Sequence, residues 1–178
     1  MKPSLGSRPT VVLLVGFMGA GKTSVGRALE QLLNWEFEDL DDRIEAREGR
    51  SIEQIFRDSG EADFRRAESA ALSELLAEEN SSPRVVALGG GAFAQARNAL
   101  LIQTAGACTV FLDAPAEELY RRCAQEGRER PLCRDLEQFR KLLEQRRPSY
   151  LQARLRVDTS GKEVNAVAAE VACSLGLG

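Results

Sequence analysis

Residues 11–23 read VVLLVGFMGAGKT, an apolar run that breaks into a glycine-rich turn and meets a lysine and a threonine. A short valine- and leucine-only run bounded by glycine predicts a buried strand over 11–15. Val25, Leu29, Leu32 and Leu33 then recur on one face of a helix. Between the two, Gly16-Phe17-Met18-Gly19-Ala20-Gly21-Lys22-Thr23 has the spacing G-x-x-x-x-G-K-[ST] in the strand–turn–helix setting that a phosphate loop requires. Glycines there permit positive φ and close backbone approach, so consecutive N–H groups converge on phosphate oxygens. The helix N-terminus adds its positive end. The chain is therefore read as binding a nucleoside triphosphate through Gly19, Ala20, Gly21, Lys22, Thr23 and Ser24. Lys22 can reach the β- and γ-phosphates, and the Thr23 hydroxyl can ligate magnesium.

The rest of the chain repeats the alternation. Strands are expected at 35–39, 84–88, 108–113 and 155–159, with helical segments across 40–79 and helices over 115–125, 135–150 and 163–175. Strands separated by helices predict an α/β domain whose parallel sheet is covered on both faces. Its 178 residues suit one domain over 10–178, preceded by a flexible tail over 1–9. No repeat or linker divides it. In such sheets ligands sit beyond the carboxyl ends of the strands.

Composition narrows the chemistry. With 24 basic against 27 acidic side chains, the chain lacks the basic surplus expected of a nucleic-acid binder. No apolar run approaches a membrane span. The early apolar run passes into Lys22 without a cleavage site, so it is not read as a secretion signal and the chain reads as cytoplasmic. There is no histidine, so a general base must be Asp, Glu, Lys, Tyr or Cys. The four cysteines, 108, 123, 133 and 173, contain no C-x-x-C pair and are expected to be reduced thiols, without a zinc site.

The stretch EFEDLDDRIE, residues 36–45, carries six carboxylates in ten positions. Like charges this close repel and raise one another's pKa. Asp39 and Asp41 are two apart and would share a side of an extended strand end. One could anchor magnesium and the other receive the proton of an acceptor hydroxyl. Helix capping is the competing reading, to which Asp42 and Glu45 are assigned. Arg65 and Glu68 in GEADFRRAE lie three apart on one helical face. They form either a solvated ion pair or a glutamate-held guanidinium that grips a carboxylate or phosphate. The triplet Gly89-Gly90-Gly91 is either a plain turn or a place of close backbone approach. The segment EGRERPLCR, with Arg128, Arg130 and Arg134, is either a solvated loop or a lid that brings an arginine to the transferring phosphoryl group.

Together these segments resemble shikimate kinases. The resemblance rests on GFMGAGKTSVG, DLDDRIEAREGRSIEQIF, GEADFRRAE, LGGGAF, RPL and RRPSY, and runs nearly the whole chain. It implies a P-loop kinase fold of the nucleoside-monophosphate-kinase type: a five-stranded parallel sheet in order 2-3-1-4-5, flanked by helices, with a lid over about 126–136. The implied activity is transfer of the ATP γ-phosphoryl group to the 3-hydroxyl of shikimate. By position, Lys22, Asp41 and the lid residue Arg130 match catalytic residues, with Asp41 also touching the acceptor as base. Arg65, Gly90, Arg146 and Glu68 match the acceptor pocket, Asp39 with Thr23 the magnesium site, and Arg122 with Arg130 the nucleotide side. Arg146 is taken over its neighbour Arg147, and Ser149 stands where leucine is common. The implied partners are ATP and shikimate, with magnesium as cofactor, no nucleic acid, no membrane, and a monomer as the working form. Two other readings remain: a kinase for another polyhydroxy acid such as gluconate, and a nucleotide-binding regulator without turnover.

Overall fold

The computed structural model describes residues 8–78, 82–125 and 135–178. Five parallel strands form one sheet in the order β2-β3-β1-β4-β5. They are β1 (Val11–Val15), β2 (Glu36–Asp39), β3 (Arg84–Ala87), β4 (Cys108–Asp113) and β5 (Leu155–Asp158). The helices between them are α1 (Lys22–Leu33), α2 (Leu40–Glu48), α3 (Ile52–Ala77), α4 (Ala96–Ala105), α5 (Ala116–Gln125), α6 (Leu136–Tyr150) and α7 (Val164–Ser174). The expected topology and every expected strand are present, with ends shifted by a residue at most.

Burial explains the strand sequences. The central strands β1, β3 and β4 are covered on both faces and are almost wholly buried, as unbroken apolar runs in a parallel sheet require. The outer strands β2 and β5 alternate and carry charge, which also blunts an edge against foreign pairing. Leu13, Leu14, Val85, Val86, Val110 and Leu112 form the middle of the core, each at most 1% exposed. Each such side chain contributes roughly 1.5–3 kcal/mol by leaving water.

The acidic stretch divides by role. Arg43 pairs with Glu38 and, at 2.8 Å, with Glu78, while Arg84 reaches Glu78 at 2.5 Å and Glu36 at 4.0 Å. Glu38 thus ties the outer strand to α2, and Glu36 ties it to β3. The strand ends at Asp39, so Asp41 is not on an extended segment as expected but in the first turn of α2. The N-cap of α2 is Asp39, not Asp42 or Glu45. Glu45 instead accepts from the Ile52 amide at 2.9 Å, serving the start of α3, and Ser51 closes a capping box with Gln54. Asp42 lies in the first turn of α2, where a negative charge is favoured by the helix dipole.

Helix α3 is kinked at Gly60, which takes φ 82° and ψ 176° inside an otherwise helical run. The second half, from Glu61, carries Arg65 and Glu68 towards the sheet. Cys108 and Cys123 are buried and Cys173 is exposed. Among the described residues no helix is long and apolar enough to cross a membrane.

Candidate active site

The loop after β1 has the backbone its glycines permit. Gly16, Gly19 and Gly21 have φ of 149°, 80° and 82°, a region L-residues avoid. Gly21 is the N-cap of α1, which has neither a side-chain cap nor an acid in its first turn. The contrast with α2 is informative, because α2 is capped and carries two acids there. An uncapped N-terminus keeps its amides and its positive end for an anion. Lys22 curls over the loop, its Nζ donating to the carbonyls of Gly16 at 2.9 Å and Phe17 at 3.0 Å.

Asp39 joins this loop to α2. Thr23 Oγ1 donates to Asp39 Oδ2 at 3.2 Å, and the Asp41 amide donates to Asp39 Oδ1 at 3.0 Å. Capping and metal anchoring are alternatives that need not exclude one another here, because Asp39 caps α2 through Oδ1 while its Oδ2 faces Thr23. Thr23 and Asp39 supply hard oxygen donors beside the phosphate loop, the ligand type magnesium takes. Among the described residues no cluster of three or more metal-ligating side chains occurs. A magnesium ion bound to nucleotide phosphates and water takes one or two protein oxygens of this kind.

The glycines after β3 are where the remaining side chains meet. A Cβ on Gly89 would stand 3.3 Å from Asp41 Oδ1 and 3.4 Å from Glu68 Oε1. One on Gly90 would stand 3.5 Å from Arg146 Nη1, 3.7 Å from Tyr150 Oη and 3.7 Å from the Gly16 carbonyl. One on Gly91 would come within 2.6 Å of Arg65 Nη2, closer than side-chain carbons approach. The triplet is a place of close approach, not a plain turn. Two carboxylates and two guanidiniums surround it, next to the phosphate loop.

Arg65 and Glu68 are not a solvated pair. Glu68 is 1% exposed and accepts from Arg65 Nη1 at 3.0 Å, while Glu61 stands 3.4 Å from Nη2. Burial pushes the Glu68 carboxyl above its ordinary value, and Arg65 and then Arg146 pull it back. Arg65 Nε is buried and has no hydrogen-bond partner among the described residues. Burial also raises Asp41 from 3.8 to about 6, helped by the charges of Asp39 and Glu68 and opposed by Lys22.

Helix α6 separates its adjacent arginines. Arg147 Nη2 donates to Asp113 Oδ2 at 2.6 Å, at the end of β4, where Arg156 Nε also donates at 2.9 Å. Arg146 faces the glycines, its guanidinium 5.7 Å from the centre of the Phe17 ring. Phe17 packs edge-on against Phe139 of the same helix at 4.9 Å. The helix bearing Arg146 is thereby seated on the phosphate loop. Tyr150, one turn after Arg146, donates from its hydroxyl to the Gly90 carbonyl. Tyr150 is not singled out in the sequence, where it is only the last residue of RRPSY.

On the other side of the loop, Gly19, Ala20, Gly21 and Ser24 line a cleft of about 280 Å³ with Arg122, Thr159 and Lys162. Arg122 donates to Thr159 Oγ1 and to its carbonyl, both at 2.9 Å, and pairs with Glu118 at 2.5 Å. Arg122 thus lies beside the phosphate loop, and the TSGKE segment contributes Thr159 and Lys162 to the same cleft. A separate cleft of about 300 Å³ between α2 and α3 includes Arg47, Arg50 and Arg66. There Arg47 pairs with Glu74 at 3.0 Å and Arg66 with Asp63, and no residue of the phosphate loop takes part. The expected lid arginine Arg130, with Arg128 and Arg134, lies outside the described residues. Of the lid placed at 126–136, Asp135 and Leu136 are described, as the cap and first residue of α6.

Comparison with known proteins agrees with this geometry. A family model described as shikimate kinase matches residues 18–175. The shikimate kinase of Geobacter metallireducens is 42% identical over 163 residues, covering 90% of this chain and 88% of that protein. That of Persephonella marina is 37% identical over 161 residues, covering 90% and 95%. The structure of shikimate kinase from Acinetobacter baumannii in complex with shikimate superposes with a TM-score of 0.84 at 35% identity, covering 96% of this chain and 94% of that one. A gluconokinase from Sinorhizobium meliloti shares the fold at a TM-score of 0.65 and 20% identity, covering 95% and 93%. A match over nearly the whole chain, on a site whose phosphate loop and glycine triplet are both in place, decides the family: the chain belongs to the shikimate kinases.

Proposed function

We propose that Asp41, Lys22, Arg65, Arg146 and Glu68 are the working residues of an ATP-dependent transfer to the 3-hydroxyl of shikimate. The products are shikimate 3-phosphate and ADP, and the setting is the aromatic amino-acid (chorismate) pathway. One observation carries the assignment: a carboxylate and two arginines converge on three glycines beside the phosphate loop. The acceptor is an anionic polyhydroxy ring, so it needs cationic groups for its carboxylate and a base for its hydroxyl. Those are the groups assembled here.

Arg65 and Arg146 hold the acceptor carboxylate, the first oriented by buried Glu68 and the second by the Phe17 ring. Gly90 supplies backbone at the acceptor. Asp41 takes the proton from the hydroxyl as its oxygen bonds to the γ-phosphorus, and the bond to the bridging oxygen breaks, releasing ADP. Its pKa near 6 leaves it largely ionised at neutral pH and a better proton acceptor than an ordinary aspartate. Lys22 and the α1 amides stabilise the phosphate charge, with Gly19, Ala20, Gly21, Thr23 and Ser24 forming the cradle. Arg122 borders the nucleoside end, and Arg130 is assigned to the transferring group by resemblance. Magnesium on Thr23 and Asp39 would neutralise phosphate charge and orient the γ-group. A monomer is assigned as the working form by resemblance, and ATP as donor is consistent with a cytoplasmic setting.

Phosphorus-31 NMR of the product tests the regiochemistry. Coupling of the new phosphate to the proton on C3 is expected. Coupling to the proton on C4 or C5 would move Asp41 away from the reacting hydroxyl and overturn the assignment. The shared fold with a gluconokinase does not choose between acceptors, since fold alone does not set function.

A further inference from the structure

Tyr150 is buried, 0% exposed, at the last position of α6. Its ring packs against Phe111 of β4 with centroids 5.3 Å apart, and its hydroxyl projects from the apolar core to the glycine triplet. There it donates to the Gly90 carbonyl. A Cβ on Gly90 would stand 3.5 Å from Arg146 Nη1 and 3.7 Å from this hydroxyl, so the guanidinium and the phenol border the same glycine, and the charges of Arg146 and Arg65 act on the phenol. Arg146 is four residues earlier, so the two side chains share one helix face. One hydroxyl thus meets the backbone of the acceptor loop and the guanidinium set against it. Burial pushes the phenol up to about 12, so at working pH it keeps its proton and remains a donor.

We infer that Tyr150 is a positioning residue for the acceptor, its hydroxyl holding the Gly90 peptide and the Arg146 guanidinium in register so that both meet one bound molecule. The inference rests on the shikimate-kinase reading of the site. A carbonyl accepting a buried hydrogen bond fixes the plane of its peptide unit, and with it the neighbouring N–H. A guanidinium on a flexible stem gains geometric specificity only when something orients it. Rigid support from the core, through Phe111, lets the phenol do both.

The test is Tyr150→Phe, which keeps the ring and deletes the hydroxyl. KM for shikimate is expected to rise about tenfold, the effect of losing one buried hydrogen bond. KM for ATP should stay within about twofold, because the nucleotide cradle does not touch the phenol. A purely structural role would lower thermal stability and leave the ratio of the two KM values unchanged, and that result would overturn the inference. A double-mutant cycle with Arg146→Lys adds a second reading. Non-additive losses in shikimate affinity are expected, and additive ones would contradict action through Arg146.

If Tyr150→Phe does not fold, the intact hydroxyl can be observed directly. In a Tyr120→Phe chain labelled at tyrosine Cζ, the remaining signal belongs to Tyr150. Saturation with shikimate should shift that signal, and no shift would overturn the inference. Failure of the function itself is distinguishable: unsubstituted protein inactive on shikimate defeats both readings, whereas an active protein with an unchanged Tyr150→Phe variant defeats only the role of Tyr150.

Discussion

Thr23 Oγ1 donates to Asp39 Oδ2 at 3.2 Å, linking the first turn of α1 to the end of β2. The same Asp39 caps α2 through its other oxygen and so places Asp41, whose amide it accepts. The nucleotide side and the acceptor side of the site are therefore joined by a single carboxylate. A change at the phosphate loop has a short route to Asp41, through two hydrogen bonds.

Replacing Asp41 by asparagine removes the proposed proton acceptor with little change of shape. Turnover should fall by about 10²–10⁴, the usual contribution of a positioned general base. Nucleotide affinity, measured by calorimetry, should change by less than about threefold, since Asp41 does not line the phosphate cradle. Retained turnover would exclude Asp41 as the base.

The same substitution should stabilise the metal-free protein. A carboxyl raised from 3.8 to about 6 binds protons more tightly when folded, so folding becomes less favourable as pH rises through that interval. Below pH 4 both variants are neutral at this position and should melt alike. Above pH 6 the asparagine variant should be more stable by on the order of 1–3 kcal/mol. Thermal melts of both proteins from pH 3.5 to pH 7.5, with chelator present, would measure the gap. A gap that closes as pH rises would contradict the sign.

Arg146 and Arg147 are neighbours with different tasks, and alanine at each should separate them. At 146 the expected effect is on the acceptor: KM for shikimate up by about tenfold to a hundredfold, with KM for ATP little changed. At 147 the loss is structural, because Asp113 is 3% exposed and loses one of its two guanidinium partners. A stability loss of about 1–3 kcal/mol is expected there. Steady-state kinetics and thermal melts on the two variants decide it, and an exchanged pattern would show that the other arginine serves the pocket.

Gly91→Ala tests the packing of the glycine triplet against α3. The added carbon would stand 2.6 Å from Arg65 Nη2, so the guanidinium must leave its place beside Glu68. Shikimate binding should weaken nearly as much as in Arg65→Ala, with nucleotide binding kept in both. Equal losses for both ligands, read by fluorescence titration, would mean that Arg65 supports the whole site and not the acceptor pocket.

Much of this was readable from the chain because the signals are local. The phosphate loop needs its glycines, lysine and threonine at fixed spacing, and the apolar runs of β1, β3 and β4 are what a doubly covered sheet demands. Other features depend on what tertiary packing buries. Nothing in GEADFRRAE tells whether Glu68 is wet or dry, and the i,i+3 spacing fits a surface pair equally well. Asp39 and Asp41 were placed on one extended segment, but the strand stops at Asp39 and the helix begins at once. A cap that also meets Thr23 needs two oxygens aimed at two different helices, which sequence spacing does not encode. Tyr150 carries no motif-level signal for its bond to Gly90, sixty residues away.

ADP release in a coupled assay with ATP and magnesium, comparing shikimate, gluconate and no acceptor, tests the function most directly. Release that depends on shikimate alone is the predicted result. Release with gluconate, or at the same rate with no acceptor, would contradict the assignment of Arg65, Arg146 and Asp41 to a shikimate pocket.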